Sequence, residues 1–355
     1  MNNKYYDGTK ILSMKDLNGN TPELFLITTN RTGGKTTYFN RLCINKFIKQ
    51  QKKFALIYRF NYELDDIADK FFKDIKSLFF ENYDLVSKKK AKGIYHELFL
   101  IDNTKDKNKL IPCGYALALN SADQIKKYSH LFSDVDLMLM DEFQSETNHY
   151  CSDEVKKLMS IHTSIARGQG KQVRYVPCIL LGNQVSILNP YYLVLGITER
   201  LNKNTKFLRG DGWILESNYI ESAAESQKES GFNRAFSNCS YAKYSSENIY
   251  LNDNISFIEK PKTKYTKYIC TLKYENQEFA VKEYANEGII YIDDRPDKSF
   301  NFKIALTTDD HNLNYVILEN NSWLFLLFKR YFQNGCFRFK NQLCKQVILK
   351  CLSYK

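Results

Sequence analysis

The segment ITTNRTGGKTTYF, residues 27–39, constrains the fold more than any other stretch of this sequence. A short apolar run ends in a Gly-Gly-Lys-Thr turn, and a pattern typical of a helix begins at Lys35. Backbone N–H groups in such a turn, together with the N-terminal end of the helix, can hold phosphates. The pattern G-x-x-x-x-G-K-[ST] is nearly complete, but Thr29 stands where the first glycine is expected. The segment therefore predicts a phosphate-binding loop with one unusual position.

Each residue type in the turn suits phosphate chemistry. Lys35 would reach the β- and γ-phosphates of a nucleoside triphosphate, and the Thr36 hydroxyl would bind a magnesium ion. Gly33 and Gly34 let the backbone approach the phosphates closely. We therefore interpret the whole loop as nucleotide-binding: Thr29, Asn30, Arg31, Thr32, Gly33, Gly34, Lys35, Thr36 and Thr37.

A second apolar run, VDLMLMDEF, ends in two adjacent acids, Asp141 and Glu142. In a phosphoryl-transfer site, an acid at this position holds the metal ion and its neighbour polarises the attacking water. The two acids could also merely begin a loop. Because they follow the glycine turn by about 105 residues in a chain of alternating strands and helices, they favour ATP hydrolysis with Mg²⁺ as the metal.

Further candidates lie beyond these two motifs. Asn183 ends the apolar run VPCILLGN and would lie near the γ-phosphate if that strand neighbours VDLMLM, but it could equally be a turn asparagine. Arg31, Arg59, Arg167 and Arg174 could stabilise transition-state charge within one subunit or across a subunit interface. Most arginines are surface residues, so spacing alone does not choose among them.

The alternation of short apolar runs and helical segments over the first 200 residues predicts a mostly parallel α/β sheet covered on both faces. Residues 206–253 are rich in Ser, Asn, Glu and Gly, which indicates a linker or small mobile subdomain. After them, KYICTLKYENQEFAVKEY and GIIYIDD alternate like antiparallel strands, and two helical stretches end the chain. The predicted domains are 1–205, 206–253 and 254–355, the last of them α+β.

The formal net charge of +11 favours a polyanionic partner. From residue 320 onward the chain has no acid but seven basic residues, which suit nucleic acid or an acidic protein surface: Lys329, Arg330, Arg338, Lys340, Lys345, Lys350 and Lys355. The nine cysteines include no C-x-x-C pair, so neither a zinc site nor a disulfide scaffold is indicated. The longest apolar runs, such as WLFLLF, are far shorter than a membrane span.

Five stretches taken together resemble the double-stranded DNA packaging ATPase of small tailed bacteriophages with protein-primed linear genomes: TNRTGGKT, LMLMDEF, LLGNQVSILNPYYL, ALTTDDHNLNYVI and NGCFRFKNQ. The resemblance implies a terminase-like P-loop ATPase of the ASCE class that forms a homopentameric ring. Such a ring docks at the portal of an empty prohead and hydrolyses ATP to move genomic DNA inward. The implied partners are double-stranded DNA, the portal and, in some relatives, a structural RNA of the prohead. The implied location is the host-cell cytoplasm and, transiently, the portal vertex.

The same resemblance assigns roles to single residues. Glu142 matches the catalytic base, Arg31 matches an arginine within the family's P-loop, and Arg167 matches a trans-acting arginine finger. A short insertion, GQGK, follows Arg167 and leaves open whether Lys171 or Arg174 is a second interface residue.

The C-terminal part resembles an RNase H-like nuclease that has lost its catalytic acids and contacts nucleic acid and the portal. Two acid pairs remain there: Asp293, Asp294, Asp309 and Asp310. Paired carboxylates can bind two metals for nuclease chemistry, but both pairs stand in turn-like surroundings, where Asp commonly supports turns. The sequence therefore favours a vestigial nuclease. An active metal-dependent nuclease and a non-hydrolysing docking protein are the alternatives.

Overall fold

The computed structural model describes residues 5–105, 109–147, 149–198, 200–201, 205–246, 257–318 and 322–353. The chain divides into two compact units, Met1–Tyr191 with Arg200–Leu251 and Tyr192–Glu199 with Asn252–Lys355. The strands are β1 (Leu24–Thr29), β2 (Lys53–Tyr58), β3 (Tyr83–Lys90), β4 (Tyr95–Asp102), β5 (Ile111–Ala118), β6 (Val135–Met140), β7 (Cys178–Asn183), β8 (Phe207–Arg209), β9 (Trp213–Ser217), β10 (Lys267–Tyr274), β11 (Gln277–Tyr284), β12 (Ile289–Asp293), β13 (Lys303–Ala305), β14 (Val316–Ile317) and β15 (Phe337–Phe339). The helices are α1 (Thr9–Ser13), α2 (Lys35–Gln50), α3 (Ile67–Phe79), α4 (Ala122–Ile125), α5 (Glu154–Ile165), α6 (Pro190–Val194), α7 (Glu221–Glu229), α8 (Gly231–Ala235), α9 (Ser240–Ser246), α10 (Ser322–Gln333) and α11 (Gln342–Ser353).

The first unit is built on a nine-stranded sheet with the order β3-β4-β5-β2-β6-β7-β1-β9-β8. The six strands from β5 to β9 in this order run parallel. The β3–β4 hairpin and β8 add antiparallel pairs at the two edges. The predicted mostly parallel sheet is therefore confirmed, and β7 lies between β1 and β6.

The central strands of this sheet are buried on both faces, which explains their unbroken apolar sequences. Phe25 and Ile27 of β1 belong to one core cluster with Phe39 and Phe47 of α2. Leu26 points to the opposite face, because side chains alternate along a strand, and it is also fully buried. Burial of each large apolar side chain stabilises the fold by about 1.5–3 kcal/mol. Both elements that flank the glycine turn are thus firmly packed.

The segment 206–253 differs from the linker or mobile subdomain that its composition predicts. It contains β8 and β9, and β9 pairs in parallel with β1 from Leu24↔Trp213 to Thr28↔Ser217. Helices α7, α8 and α9 follow and belong to the first unit, whereas residues 247–253 lie outside the described residues. Composition alone missed β9 because WILES is short, and its burial comes from the strand beside it.

The second unit contains a six-stranded sheet with the order β14-β13-β10-β11-β12-β15. Strands β10, β11 and β12 pair antiparallel. The other pairs, β10 with β13, β13 with β14 and β12 with β15, are parallel. Helices α10 and α11 pack on each other, and α11 also contacts β12 and β15. In the part of the chain that the structure describes, no helix has the length and apolarity needed to cross a membrane.

The close approach of β2 and β5 yields a stability prediction. A Cβ atom at Gly114 would lie 2.4 Å from the backbone oxygen of Phe54. We expect Gly114→Ala to lower the free energy of unfolding of the first unit by about 1–3 kcal/mol, the usual cost of overpacking. Urea unfolding followed by Trp213 fluorescence, in a Trp323→Phe background, measures this change.

Gly231→Ala is the matched control. A Cβ at Gly231 would meet only Nη2 of Arg234, at 3.9 Å, and the backbone there does not have a positive φ. This variant should change the free energy of unfolding by less than about 0.5 kcal/mol. Equal stabilities for the two variants would contradict the register of β2 and β5.

Candidate nucleotide-binding site

Three neighbouring strands bring polar side chains to one edge of the first sheet. Nζ of Lys35, at the start of α2, donates to Oδ1 of Asn183 at the end of β7, at 2.6 Å. The Thr36 hydroxyl donates to Oδ2 of Asp141, just after β6, at 2.8 Å. Asn183 is expected near the γ-phosphate only if its strand neighbours β6, and β7 does pair with β6. The structure therefore brings together residues that are up to 148 positions apart in the chain.

The loop between β1 and α2 adopts the conformation that its glycines allow. Gly34 has a φ of 88° and Thr32 a φ of 61°, both in the left-handed region. Space at Gly33 is tight, because a Cβ there would lie 3.0 Å from Cγ1 of Ile220. Thr29 is the last residue of β1 and pairs with Asn183 in extended backbone, where a β-branched side chain is favourable. Threonine in place of the first glycine therefore imposes no backbone strain.

The side chain of Lys35 is buried, with 7% of its surface exposed. Desolvation lowers the pKa of its ammonium group, while the carboxylates of Asp141 and Glu142 oppose that shift. An ammonium group has three hydrogen-bond donors, and the structure shows one bond, to Asn183. A phosphate would supply the remaining acceptors and the negative charge.

The two acids after β6 differ in their surroundings. Asp141 accepts hydrogen bonds from Thr36 and from the backbone N–H of Glu142. Glu142 has an exposed side chain and a φ of 58°, a conformation that costs a non-glycine residue about 1–3 kcal/mol. Desolvation by the surrounding protein raises the pKa of Glu142, and the negative charges of Asp141 and Glu146 raise it further. A strained acid with a raised pKa is typical of a catalytic site.

The fit of a metal ion rests on the same residues. No cluster of three or more His, Cys, Asp or Glu side chains suited to a metal occurs in the described ranges. Mg²⁺ does not require one, because it usually binds one or two carboxylates together with substrate phosphates and water. Thr36 and Asp141, hydrogen-bonded to each other, supply the oxygen atoms of such a site.

A cavity of about 180 Å³ lies over these groups. Its lining residues are Arg31, Thr32, Lys35, Thr36, Asp141, Glu142, Gly182 and Asn183. Positive charge from Arg31 and Lys35 therefore faces negative charge from Asp141 and Glu142 across a small space. This arrangement suits a triphosphate with its metal ion.

Arg31 is held by residues that the sequence did not indicate. Its guanidinium pairs with Glu146 and lies 5.2 Å from the ring of Tyr241 and 5.9 Å from the ring of Tyr244, both in α9. Its Nε is buried and has no hydrogen-bond partner among the described residues. Because these partners are distant in the chain, no spacing rule could have found them.

The remaining predicted loop residues have other surroundings. Oδ1 of Asn30 accepts from the backbone N–H of Ile220, and Nδ2 of Asn30 donates to the Ile220 carbonyl, at 2.8 and 3.1 Å. The Asn30 side chain therefore ties the loop to the segment after β9. Thr37 is half-buried in the first turn of α2, and its side chain is not among those that line the cavity.

Two of the four candidate arginines are structural in this chain. Arg174 is buried, and its Nη2 donates to the carbonyl oxygens of Val135 and Ile165 at 3.1 and 2.9 Å. Arg59 is also buried and pairs with Glu154. Arg174 does not line the nucleotide cavity, which corrects its candidacy as a charge-stabilising residue, whereas Arg59 lines a cavity of about 260 Å³ with Arg31, Glu142 and Asn183. Sequence spacing could not reveal this because burial depends on the packing of distant segments.

Arg167 and Lys171 lie apart from the cavity. Arg167 follows α5, is exposed, and lines a separate depression of about 240 Å³ with Lys126, Ser160, Thr163 and Ser164. None of these residues lines the nucleotide cavity of the same chain. Lys171 is exposed in a short turn bridged to Gly168. Arg167 therefore does not face the nucleotide cavity of its own chain.

The glycine-lysine-threonine loop follows β1, and Asp141 follows β6, which is separated from β1 in the sheet by β7. A parallel sheet with this arrangement defines a P-loop NTPase fold. The family model of the podovirus DNA encapsidation protein (Gp16) matches residues 2–354. The chain belongs to this family, and the resemblance inferred from its motifs is confirmed.

Individual relatives agree with this assignment. The DNA packaging protein of Bacillus phage phi29 is 28% identical over 347 residues, which are 97% of this chain and 95% of that protein. The DNA packaging protein of Bacillus phage B103 is 28% identical over 320 residues, 88% of this chain and 91% of that protein. These similarities extend over both units.

Two solved structures share the fold. A chain of the bacteriophage Phi-29 viral genome packaging motor assembly has a TM-score of 0.65 and 25% identity, and the match covers 98% of this chain and 100% of that chain. A chain of the Phi-28 gp11 DNA packaging motor has a TM-score of 0.60 at 16% identity, with 99% of each chain covered. At 16% identity, the second similarity shows only that the two chains share a fold.

The extended backbone of Thr29 predicts that the missing first glycine is dispensable. Thr29→Gly should leave the affinity for a non-hydrolysable ATP analogue unchanged and lower the free energy of unfolding by about 0.5–1 kcal/mol. Gly34→Ala is the contrast, since a left-handed non-glycine residue costs about 1–2 kcal/mol. We expect the loop of this variant to leave the left-handed conformation in the free protein, and re-forming it should weaken binding about tenfold. Fluorescence titration measures both affinities. Tighter binding by Thr29→Gly would show that Thr29 impairs the loop.

Proposed function

We propose that this protein is an ATP-driven motor that moves double-stranded DNA into a viral prohead. The observation that carries the proposal is the meeting of Lys35 with Asn183 and of Thr36 with Asp141, beside Glu142, at the ends of three adjacent strands. The family to which the chain belongs encapsidates DNA, as its description states. The intervening strand β7 between β1 and β6 supports assignment to the ASCE class of P-loop ATPases.

Each residue of the site has a separate task in this mechanism. Backbone N–H groups of the loop and the Lys35 ammonium bind the β- and γ-phosphates, and Asn183 directs the Lys35 ammonium into the cavity. Thr36 and Asp141 hold Mg²⁺, which would neutralise charge that develops on the phosphate oxygens. Arg31 stabilises that charge from the other side, once its guanidinium turns from Glu146 toward the phosphates.

Glu142 acts as the general base. Its carboxylate takes the proton from the attacking water and orients that water in line with the bond that breaks. The raised pKa of Glu142 supports this role, because a base is most effective when its pKa lies nearer the operating pH. Its exposed position beside Asp141 supports it as well.

Hydrolysis requires an oligomer in this proposal, since Arg167 does not line the nucleotide cavity of its own chain. Arg167 of one subunit completes the site of the next, and the subunits form a homopentameric ring at the portal vertex within the infected cell. DNA is held mainly through its phosphates, because a motor that moves along any sequence should not read bases. Lys171 is the better candidate for a second interface residue, since Arg174 is buried.

For the second unit we propose a vestigial RNase H-like domain. Three successive antiparallel strands, followed by two strands parallel to the first, support an RNase H-like sheet. Three of the four paired acids have structural partners, whereas Asp309 is exposed. Asp293 pairs with Lys282 at 2.7 Å, and Asp294 pairs with Lys340. Asp310 accepts hydrogen bonds from the backbone of Glu275 and Asn276.

Some of the basic residues at the end of the chain support contact with nucleic acid or the portal, whereas others are paired with acids. Arg338 pairs with Glu259, and Lys340 with Asp294, so their charges are partly neutralised. Lys329, Arg330 and Lys350 are exposed on α10 and α11, and Lys355 lies outside the described residues. A prohead RNA is a further partner only by analogy with some relatives.

A mixing experiment tests the shared site. Glu142→Gln should lower kcat for ATP hydrolysis about 10²–10⁴-fold, and Arg167→Ala about 10³–10⁵-fold. Because each variant retains the residue that the other lacks, mixed rings should recover part of the activity. ATP turnover over a protein concentration series, with duplex DNA and portal present, measures both effects.

Two results would contradict this proposal in different ways. Normal hydrolysis by Arg167→Ala at every concentration would remove Arg167 from the site. Absence of hydrolysis by the wild-type protein with DNA and portal present would favour a non-hydrolysing docking protein. Lys52→Ala is a useful control, because Lys52 is exposed and lines neither the nucleotide cavity nor the depression around Arg167.

The vestigial nuclease makes a separate prediction. The wild-type protein should not cut supercoiled plasmid DNA in Mg²⁺ or Mn²⁺, because Asp293, Asp294 and Asp310 are committed to partners within the unit. Gel electrophoresis of the plasmid measures cutting. Cleavage that is abolished by Asp293→Ala or Asp309→Ala, but retained by Glu142→Gln, would establish an active nuclease instead.

A further inference from the structure

A side chain that follows another strand is hydrogen-bonded to the backbone of Glu142, which has a strained conformation. Glu142 is not a glycine, yet its φ is 58°. Residues in such conformations persist only where the surroundings determine them, and they cluster at functional sites. The contacts that impose this conformation therefore bear directly on where the Glu142 carboxylate points.

Arg59, just after β2, makes those contacts. Its Nη2 donates to the carbonyl oxygen of Glu142 at 3.2 Å and to that of Phe143 at 3.0 Å. The Phe143 N–H in turn donates to the carbonyl of Leu181 in β7, at 2.9 Å. The turn after β6 is thus held to both strands that flank β6 in the sheet.

Glu154, at the start of α5, fixes the Arg59 guanidinium. Nε of Arg59 lies 2.8 Å from Oε2 of Glu154, and Nη2 lies 3.1 Å from Oε1. This two-point pair orients the plane of the guanidinium. Glu154 also accepts from the Cys151 N–H and the Tyr191 hydroxyl, each at 2.9 Å. The side chain of Glu154 is fully buried and that of Arg59 is 9% exposed.

A buried ion pair is not by itself a sign of function, nor is it needed for stability, since apolar residues in its place often stabilise a fold equally well. The same chain contains a comparison. Arg174 is equally buried and also donates to two backbone carbonyls, but those belong to Val135 and Ile165, outside the nucleotide cavity. What distinguishes Arg59 is that one of its acceptors is the carbonyl of the proposed catalytic base itself.

We propose that Arg59, oriented by Glu154, is a positioning residue that fixes the turn at Glu142 and so directs the Glu142 carboxylate toward the attacking water. This inference rests on the proposed role of Glu142 as the base. A lysine at position 59 keeps the charge opposite Glu154, but it lacks the planar fork that bonds a carboxylate and two carbonyls together. Positive charge alone therefore cannot replace Arg59.

The test compares Arg59→Lys with Arg174→Lys in the full-length protein assembled with DNA and portal. A misplacement of about 1 Å costs on the order of 10²-fold in rate, so Arg59→Lys should lower kcat by about 10–10²-fold. The dissociation constant for a non-hydrolysable ATP analogue should stay the same, because Lys35 and Thr36 are untouched. Arg174→Lys should leave kcat and nucleotide affinity at the wild-type values.

Hydrogen exchange supplies a readout that does not depend on hydrolysis. In nucleotide-free protein, Arg59→Lys should speed amide exchange in the peptide that contains Glu142 and Phe143, whereas Arg174→Lys should not. Glu154→Gln, which keeps the shape of the side chain but removes its charge, is the second variant and should resemble Arg59→Lys. If Arg59→Lys fails to fold, Glu154→Gln alone provides the test.

The outcomes separate this inference from the proposed function. Wild-type kcat in Arg59→Lys and Glu154→Gln would overturn the inference and leave the motor intact. Equal losses of kcat and of nucleotide binding in Arg59→Lys and Arg174→Lys would also overturn it, since both arginines would then act only on stability. If the wild-type protein does not hydrolyse ATP, the proposed function fails, and unchanged exchange at Glu142 in Arg59→Lys would still refute the positioning role.

Discussion

Parallel pairing of β1, β7 and β6 is the constraint on which the candidate site depends. The pairing aligns the carboxyl ends of the three strands, so that Lys35 reaches Asn183 and Thr36 reaches Asp141. A slip of one residue in a strand would turn each of its side chains to the opposite face. The apolar residues buried on both faces of the sheet resist such a slip. Core packing and site geometry are therefore set by the same register.

Three residues beside the cavity have left-handed backbone, as do others elsewhere in the described chain. Thr32, Gly34 and Glu142 all have left-handed backbone, but only one of them is a glycine. Hydrogen bonds from neighbouring segments hold the others: Gln227 donates to the Thr32 hydroxyl at 3.3 Å, and Arg59 donates to the Glu142 carbonyl. Loop conformation here is thus determined by tertiary contacts as much as by residue type.

Much of the first unit could be predicted because its signals are local. Helix α2 begins at Lys35, as predicted, and β6 and β7 lie within the predicted apolar runs VDLMLMDEF and VPCILLGN. The strand β9 was missed because its apolar run is short and its pairing partner β1 lies far away in sequence. The partners of Arg31, namely Glu146, Tyr241 and Tyr244, were missed for a similar reason. Arg174 was misjudged because burial is not encoded by spacing.

The sequence by itself determined the phosphate loop, the acid pair Asp141 and Glu142, the alternating α/β order and the family resemblance. These features depend on residues that are close together in the chain, where periodicity and turn chemistry act. Only the tertiary structure decided that Asn183 meets Lys35, that Asn30 binds the backbone of Ile220, and that Arg59 holds the turn of Glu142. Such contacts follow from the order and register of strands, which are set by the packing of the whole sheet and by no single segment.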